Sequence, residues 1–189
     1  LAGTVSKKGG IGIISCADIG YQEEDFNKNP LEANLRAIKK EIKMAREIAG
    51  EDKILGVNIM VAMKEYATYV KACVKEKIDL IISGAGIPKD LPEYVKGTIT
   101  KIAPIVSSLR CCKLIVKHWM TKYDYVPDMI VIEGPEAGGH LGFKREELDE
   151  ENKPKLENIT SEIVEYIKEV EKETGKEIPV VVAGGIFNG

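Results

Sequence analysis

A glutamate and a histidine flank a glycine-rich turn at residues 133–140, which read EGPEAGGH. The β-branched run MIVI just before it predicts a buried parallel strand. Gly138 and Gly139 have no Cβ, so their backbone can approach a ligand closely or adopt a positive φ. His140 can exchange a proton near neutral pH. This combination is typical of an α/β active site, although a glycine pair after a strand also makes an ordinary tight turn.

Similar signals lie at the ends of other expected strands. Asn58 places an amide inside an apolar strand. This amide either hydrogen-bonds to backbone in the core or faces a ligand. Residues 83–86, SGAG, and the pair Gly184 and Gly185 are further loops of bare backbone. Barrels often bind phosphate through backbone N–H groups late in the chain. Together these loops predict a phosphate-bearing cofactor across a barrel mouth.

One helix that must position these loops is marked at both ends. Asn29 suits the N-cap, Pro30 suits the first helical position, and Gly50 ends the helix. The predicted buried stripe recurs at helical spacing. Its members are Leu31, Leu35, Ile38, Ile42, Ala45 and Ile48.

The rest of the chain alternates in the same way. Strands are predicted at 11–15, 54–61, 79–83, 102–107, 129–132 and 178–183. Helices are predicted at 66–77, 91–97 and 109–123, with a later one capped by Thr160 or Ser161. Residues 1–8 are expected to be the tail of a helix that Gly9 and Gly10 end. The charge-rich residues 143–158 are expected to form a solvated loop or insertion.

Alternating strands and helices predict an α/β fold with a parallel sheet. A doubly wound sheet and a (β/α)8 TIM barrel both remain open at this point. One more strand at each end would give eight, which favours the barrel. The chain is therefore interpreted as a single barrel domain over residues 1–189, truncated at both ends, with about six of eight βα units.

Composition excludes several classes of function. The net charge of −3 and the lack of a basic tract argue against nucleic acid as a partner. No apolar run reaches the ~20 residues of a membrane helix, and we expect a cytoplasmic protein without membrane contact.

The four cysteines show no zinc-like spacing, so no metal site and reduced thiols are predicted. Nucleotide-binding GxGxxG and P-loop motifs are absent. His118 is interpreted as a surface or packing residue of its helix.

The EGPEAGGH stretch strongly resembles the nitronate monooxygenase (2-nitropropane dioxygenase) family, a pattern shared with FMN-dependent enoyl-acyl-carrier-protein reductases. Residues 9–12 (GGIG), 56–58 (GVN) and 183–186 (AGGI) support the resemblance. It implies an FMN-containing TIM barrel. The family's first strand with its Gln-Gly motif and its late Gly-Thr phosphate loop are not found in this sequence.

The resemblance also implies roles for individual residues. His140 matches the active-site histidine beside the flavin. The other matched positions are cofactor-binding: Asn58 and Glu133 near the flavin, Gly138 and Gly139 at the cofactor, and Gly184 and Gly185 at the phosphate-side turn.

The leading function implied is the oxidation of alkyl nitronates by molecular oxygen to a carbonyl compound and nitrite. An NAD(P)H-dependent enoyl-acyl-carrier-protein reductase is the alternative. A non-catalytic flavin-binding barrel is the third reading. The expected partners are FMN, a small nitronate or enoyl-thioester substrate, and oxygen or NAD(P)H, with a homodimer as a candidate assembly.

Overall fold

The computed structural model describes residues 1–149 and 153–186, in which strands and helices alternate. The strands are β1 (Gly12–Ser15), β2 (Leu55–Met60), β3 (Leu80–Gly84), β4 (Lys101–Val106), β5 (Ile130–Glu133) and β6 (Val180–Ala183). The helices are α1 (Ala2–Lys7), α2 (Pro30–Ala49), α3 (Tyr66–Lys75), α4 (Leu91–Val95), α5 (Leu109–Tyr123) and α6 (Leu156–Thr174). A short 3-10 helix spans Arg145–Leu148.

The strands follow one another in the sheet in chain order, from β1 to β6. The pairs β1–β2, β4–β5 and β5–β6 are parallel. A doubly wound sheet would reverse its strand order at a switch point, and this order shows no reversal. The six parallel strands and their alternating helices therefore have the topology of an incomplete (β/α)8 barrel, as the strand count predicted. No helix in the described ranges is both long and apolar enough to cross a membrane.

Helix α2 begins and ends where its sequence signals place it. Asn29 is the N-cap, Pro30 opens the helix and Gly50 is the C-cap, with φ at +100°. The predicted stripe is only partly right, because Ile48 is exposed and Leu31 and Leu35 are half-buried. Small residues share the buried face with the isoleucines, since an alanine lets a helix approach its neighbour closely. The buried positions are Ala33, Asn34, Ala37, Ile38, Ile42, Ala45 and Ala49.

Contacts divide the chain into two compact units. The first comprises residues 1–83 and 91–102. Its core includes Leu55, Val57 and Ile59 of β2 together with Val70 and Ile81. All five side chains are fully buried. Burying such side chains contributes about 1.5–3 kcal/mol each and fixes which face of β2 points inward.

The second unit comprises residues 84–90 and 103–186 of the described chain. Ile130 and Ile132 of β5 and Trp119 of α5 are fully buried in it. The Trp119 indole N–H donates to the carbonyl of Pro88 at 3.0 Å, which fastens the loop after β3 onto α5. Helix α5 spans Leu109–Tyr123 as predicted, and the Ser108 hydroxyl accepts from the Cys111 N–H as its N-cap.

The start of α6 corrects the sequence prediction. The helix begins at Leu156, so Thr160 and Ser161 lie inside it and neither is the cap. The Ser161 hydroxyl instead donates to the carbonyl of Glu157 at 2.8 Å. The N-cap residue is Lys155, whose side chain makes no capping hydrogen bond. The last residues of the charge-rich 143–158 stretch are thus helical.

Candidate functional site

The ends of β5 and β6 lie side by side in the second unit. Their parallel register pairs Glu133 with Ala183. The N–H of Gly134 donates to the carbonyl of Ala183 at 2.8 Å, and the N–H of Ala137 closes a turn onto Gly134. The two glycine-containing turns that the sequence singled out therefore leave the sheet at the same edge.

Only glycine can occupy positions 184 and 185 without strain. Their φ angles are +98° and +78°, in the left-handed region that other residues rarely adopt. A Cβ on Gly184 would lie 2.9 Å from the Ala137 nitrogen, and one on Gly185 would lie 2.6 Å from the Glu136 carboxylate. The bare backbone of the β6 turn is thus required by the packing of the β5 turn against it.

A cavity of about 720 Å³ opens beside these turns. Its lining includes Gly184, Gly185 and the residues that begin α6. The volume lies within the ~300–1,000 Å³ of small-ligand sites. Lys153 contributes a positive charge to the lining and pairs with Glu136 at 2.8 Å, which offsets the glutamate's negative charge.

Gly138, Gly139 and His140 are all exposed in the same unit. Gly139 has φ at +95°, and a Cβ on either glycine would meet nothing within 4 Å. The His140 ring makes no hydrogen bond or ion pair with another described residue. Backbone and imidazole are thus both accessible to a ligand.

Glu133 lies at the carboxyl end of β5 and is half-buried. Burial raises the pKa of its carboxyl group, and a hydrogen bond from the Gly142 N–H opposes that rise. The carboxylate therefore faces the loop that carries His140. The sequence analysis placed Glu133 near a cofactor and did not anticipate its interaction with Gly142.

Ser107 is a residue that the sequence analysis missed. It follows β4 directly, and its hydroxyl donates to the carbonyl of Gly142 at 3.0 Å. A serine immediately after an apolar strand was the available signal, because strand ends carry the functional side chains of barrels.

Asn58 belongs to the first unit, on β2. It is half-buried and pairs in register with Ser15, and its carbonyl accepts from the Cys16 N–H at 3.0 Å. Its side-chain amide makes no hydrogen bond with another residue in the described part of the chain. The cofactor-binding role of Asn58 stays a prediction.

A second polar group lies at the strand ends of the first unit. The fully buried Ser83 donates its hydroxyl to the carbonyl of Ile59 at 2.8 Å. The Tyr66 hydroxyl lies 2.8 Å from the Ser83 oxygen and donates to it, because the serine proton is already used. Burial raises the pKa of Tyr66, so this tyrosine remains a neutral hydrogen-bond donor.

Among the described residues, no group of three or more histidine, cysteine, aspartate or glutamate side chains could hold a metal ion. His118 lies on α5, and its Nε2 is buried without a hydrogen-bond partner in the described structure. Its ring contacts Tyr123 edge to face, with centroids 6.1 Å apart. This contact agrees with the packing role expected from the sequence.

The fold and these turns define an incomplete barrel whose strand ends carry bare backbone beside a cavity. The nitronate monooxygenase family model matches residues 1–189. The chain belongs to the nitronate monooxygenase family, as its EGPEAGGH motif indicated.

Solved structures that resemble the chain include those of two different proteins. FabK from Thermotoga maritima is 26% identical with a TM-score of 0.68, over 100% of this chain and 47% of that one. A nitroalkane oxidase from Streptomyces ansochromogenes is 17% identical with a TM-score of 0.65, over 98% of this chain and 54% of that one. The second likeness shows the fold alone. The chain spans about half the length of these proteins, and no curated protein matches it significantly.

Proposed function

We propose that this chain is part of an FMN-dependent oxidoreductase that oxidises alkyl nitronates with molecular oxygen, giving a carbonyl compound and nitrite. The observation that carries the proposal is the pair of glycine turns after β5 and β6. They leave the sheet at one edge, beside a cavity of about 720 Å³, in a chain of the nitronate monooxygenase family.

The residues present fit FMN. The backbone N–H groups at Gly184 and Gly185, which line the cavity, would receive the phosphate. Gly138 and Gly139 have open space where a Cβ would lie, which suits close contact with a flat ring system. The carboxyl of Glu133 would hydrogen-bond the cofactor. Bound FMN would supply the redox chemistry.

His140 would act on the substrate. As a cation it would bind and orient the anionic nitro group of a nitronate. As a neutral base it would remove the α-proton of a nitroalkane. Both roles need an accessible imidazole, and the exposed position of His140 satisfies that requirement.

The test uses the full-length protein with FMN and a propyl nitronate. We expect nitrite release, and we expect His140→Ala to lower it by at least about 100-fold, the usual contribution of a positioned acid or base. The chain has only one other histidine, so His118→Ala is the matched control and should retain activity. Equal activity in wild type and His140→Ala would contradict the assignment.

Reduction of an enoyl thioester by NAD(P)H is the second candidate. The likeness to FabK, which represents the enoyl-acyl-carrier-protein reductases, favours it, because 26% identity exceeds the 17% to the nitroalkane oxidase. His140 would then assist at the thioester carbonyl. NAD(P)H oxidation with an enoyl thioester and no nitrite from a nitronate would decide for this candidate. A yellow protein inactive in both assays would indicate a flavin-binding barrel without catalysis.

A further inference from the structure

We propose that Ser107 is a positioning residue that holds the His140 segment in place through Gly142. The inference rests on the proposed function only for the role of His140. The contacts that carry it all lie within the second unit.

Gly142 is held on both sides of its backbone by the ends of two neighbouring strands. Its carbonyl accepts from the Ser107 hydroxyl at 3.0 Å, just after β4. Its N–H interacts with the carboxylate of Glu133, the last residue of β5, and favours the charged form of that group. Because β4 and β5 pair in parallel, both contacts come from neighbouring strand ends.

The fit at this anchor admits no side chain on Gly142. A Cβ there would lie 2.2 Å from the Ser107 hydroxyl oxygen and 2.9 Å from the Ser107 Cβ. Gly138 and Gly139 differ, because a Cβ on either would meet nothing within 4 Å. The glycine at 142 therefore serves packing against Ser107, whereas the pair at 138–139 leaves open space.

The loop is consequently fixed at both ends and open in the middle. Its first end is the turn in which the Gly134 N–H bonds to Ala183, and its second end is Gly142. His140 lies two residues from the second anchor. A glycine pair loses more conformational freedom on ordering than any other residues would. Loss of the Ser107 anchor would therefore spread the imidazole over more positions and reduce the fraction competent for catalysis.

The experiment compares Ser107→Ala with Ser108→Ala in the full-length protein. The two changes delete the same atom from adjacent residues, but the Ser108 hydroxyl caps α5 by accepting from Cys111. A hydrogen bond of ~0.5–1.5 kcal/mol corresponds to about a two- to tenfold change. We expect Ser107→Ala to lower kcat by that factor. We expect Ser108→Ala to lower stability and leave kcat as in the wild type.

A double-mutant cycle ties the effect to the imidazole. In a His140→Ala background, Ser107→Ala should cause no further loss of kcat. An equal loss in both backgrounds would overturn the inference, because the serine would then act independently of His140.

A readout that needs no activity separates this inference from the proposed function. Trypsin cleavage after Lys144, two residues beyond the anchor, reports how often the loop opens. We expect Ser107→Ala to speed this cleavage by about two- to tenfold and Ser108→Ala to leave it unchanged. Faster cleavage in a protein inactive on both substrates would support the anchor and contradict the proposed function. Unchanged cleavage would overturn the anchor whether or not the protein is active.

Discussion

Burial and hydrogen bonding act in opposite directions on Glu133. Partial burial disfavours its charged form and raises the pKa, whereas the N–H of Gly142 stabilises the carboxylate. Burial is the larger effect, so the folded protein favours the neutral acid relative to the unfolded chain. The stability that the neutral form contributes is present at low pH and is lost as the pH rises through the raised folded pKa.

Glu133→Gln should therefore stabilise the protein in a pH-dependent way. Glutamine is neutral at every pH and can still accept the Gly142 N–H. We expect the melting temperature of the variant to match that of the wild type near pH 4 and to exceed it increasingly towards pH 7. Glu162→Gln, an exposed glutamate of α6, measures the background effect of removing one charge. A difference that shrinks as the pH rises would contradict this account.

Gly185 and Gly175 offer a matched pair for testing the β6 turn. Both have positive φ, +78° and +70°, but only Gly185 has a neighbour that a Cβ would strike. Replacing either by alanine should cost about 1 kcal/mol from backbone strain, measured by urea unfolding. Gly185→Ala should in addition weaken FMN binding in a fluorescence titration, while Gly175→Ala should not. Equal FMN affinities would place the phosphate elsewhere.

At the scale of elements, α5 supports the loop that follows β3. Trp119 is fully buried and donates to the carbonyl of Pro88. Asp90 accepts from Lys122 at 2.9 Å and from the Tyr123 hydroxyl at 2.5 Å. These hydrogen bonds lower the pKa of Asp90, which therefore remains a charged acceptor. One helix thus fixes the loop at two separate points.

Trp119→Phe tests that support. The change removes the N–H bonded to Pro88 and leaves a void, so we expect it to cost about 2–4 kcal/mol in the free energy of unfolding. Leu114→Ala on the same helix is the control, since Leu114 is 49% exposed and its loss should cost under about 1 kcal/mol. Similar costs for both would mean that Trp119 is not an anchor.

At the scale of the whole molecule, the fold determines which thiols can react. Cys16, Cys73 and Cys112 are fully buried, and the sulfurs of Cys16 and Cys73 lie 3.8 Å apart without a disulfide. A hydrogen bond with Cys16 and burial both raise the pKa of Cys73. Burial also raises the pKa of Cys112, to about 12. Only Cys111 is partly accessible.

The native protein should consequently expose at most one reactive thiol. A chromogenic aromatic disulfide should titrate no more than one of the four cysteines quickly at pH 8 and all four in denaturant. Cys111→Ser should abolish the fast phase. Two or more fast thiols in the native protein would show that the buried sulfurs open readily.

The correct sequence predictions were those with local causes. The bounds of α2 follow chiefly from Pro30, whose fixed φ suits the first turn, and from Gly50, which takes a positive φ at the end of the helix. The predicted start of α6 was wrong because Lys155, the N-cap residue, makes no side-chain capping hydrogen bond. Tertiary packing contributes there instead: a Cβ on Gly134 would lie 2.9 Å from Leu156, so the first turn of α6 lies directly against the turn after β5.

The sequence by itself determined the alternation of strands and helices, the family, and the bare backbone after three of the strands, β3, β5 and β6. Those properties depend on residue type and short spacing. Only the tertiary structure decided that Glu133 lies beside Ala183 and that Ser107 meets Gly142. Parallel strands pair across a long crossover, and the residue that will lie opposite is set by the packing of that crossover rather than by any local signal.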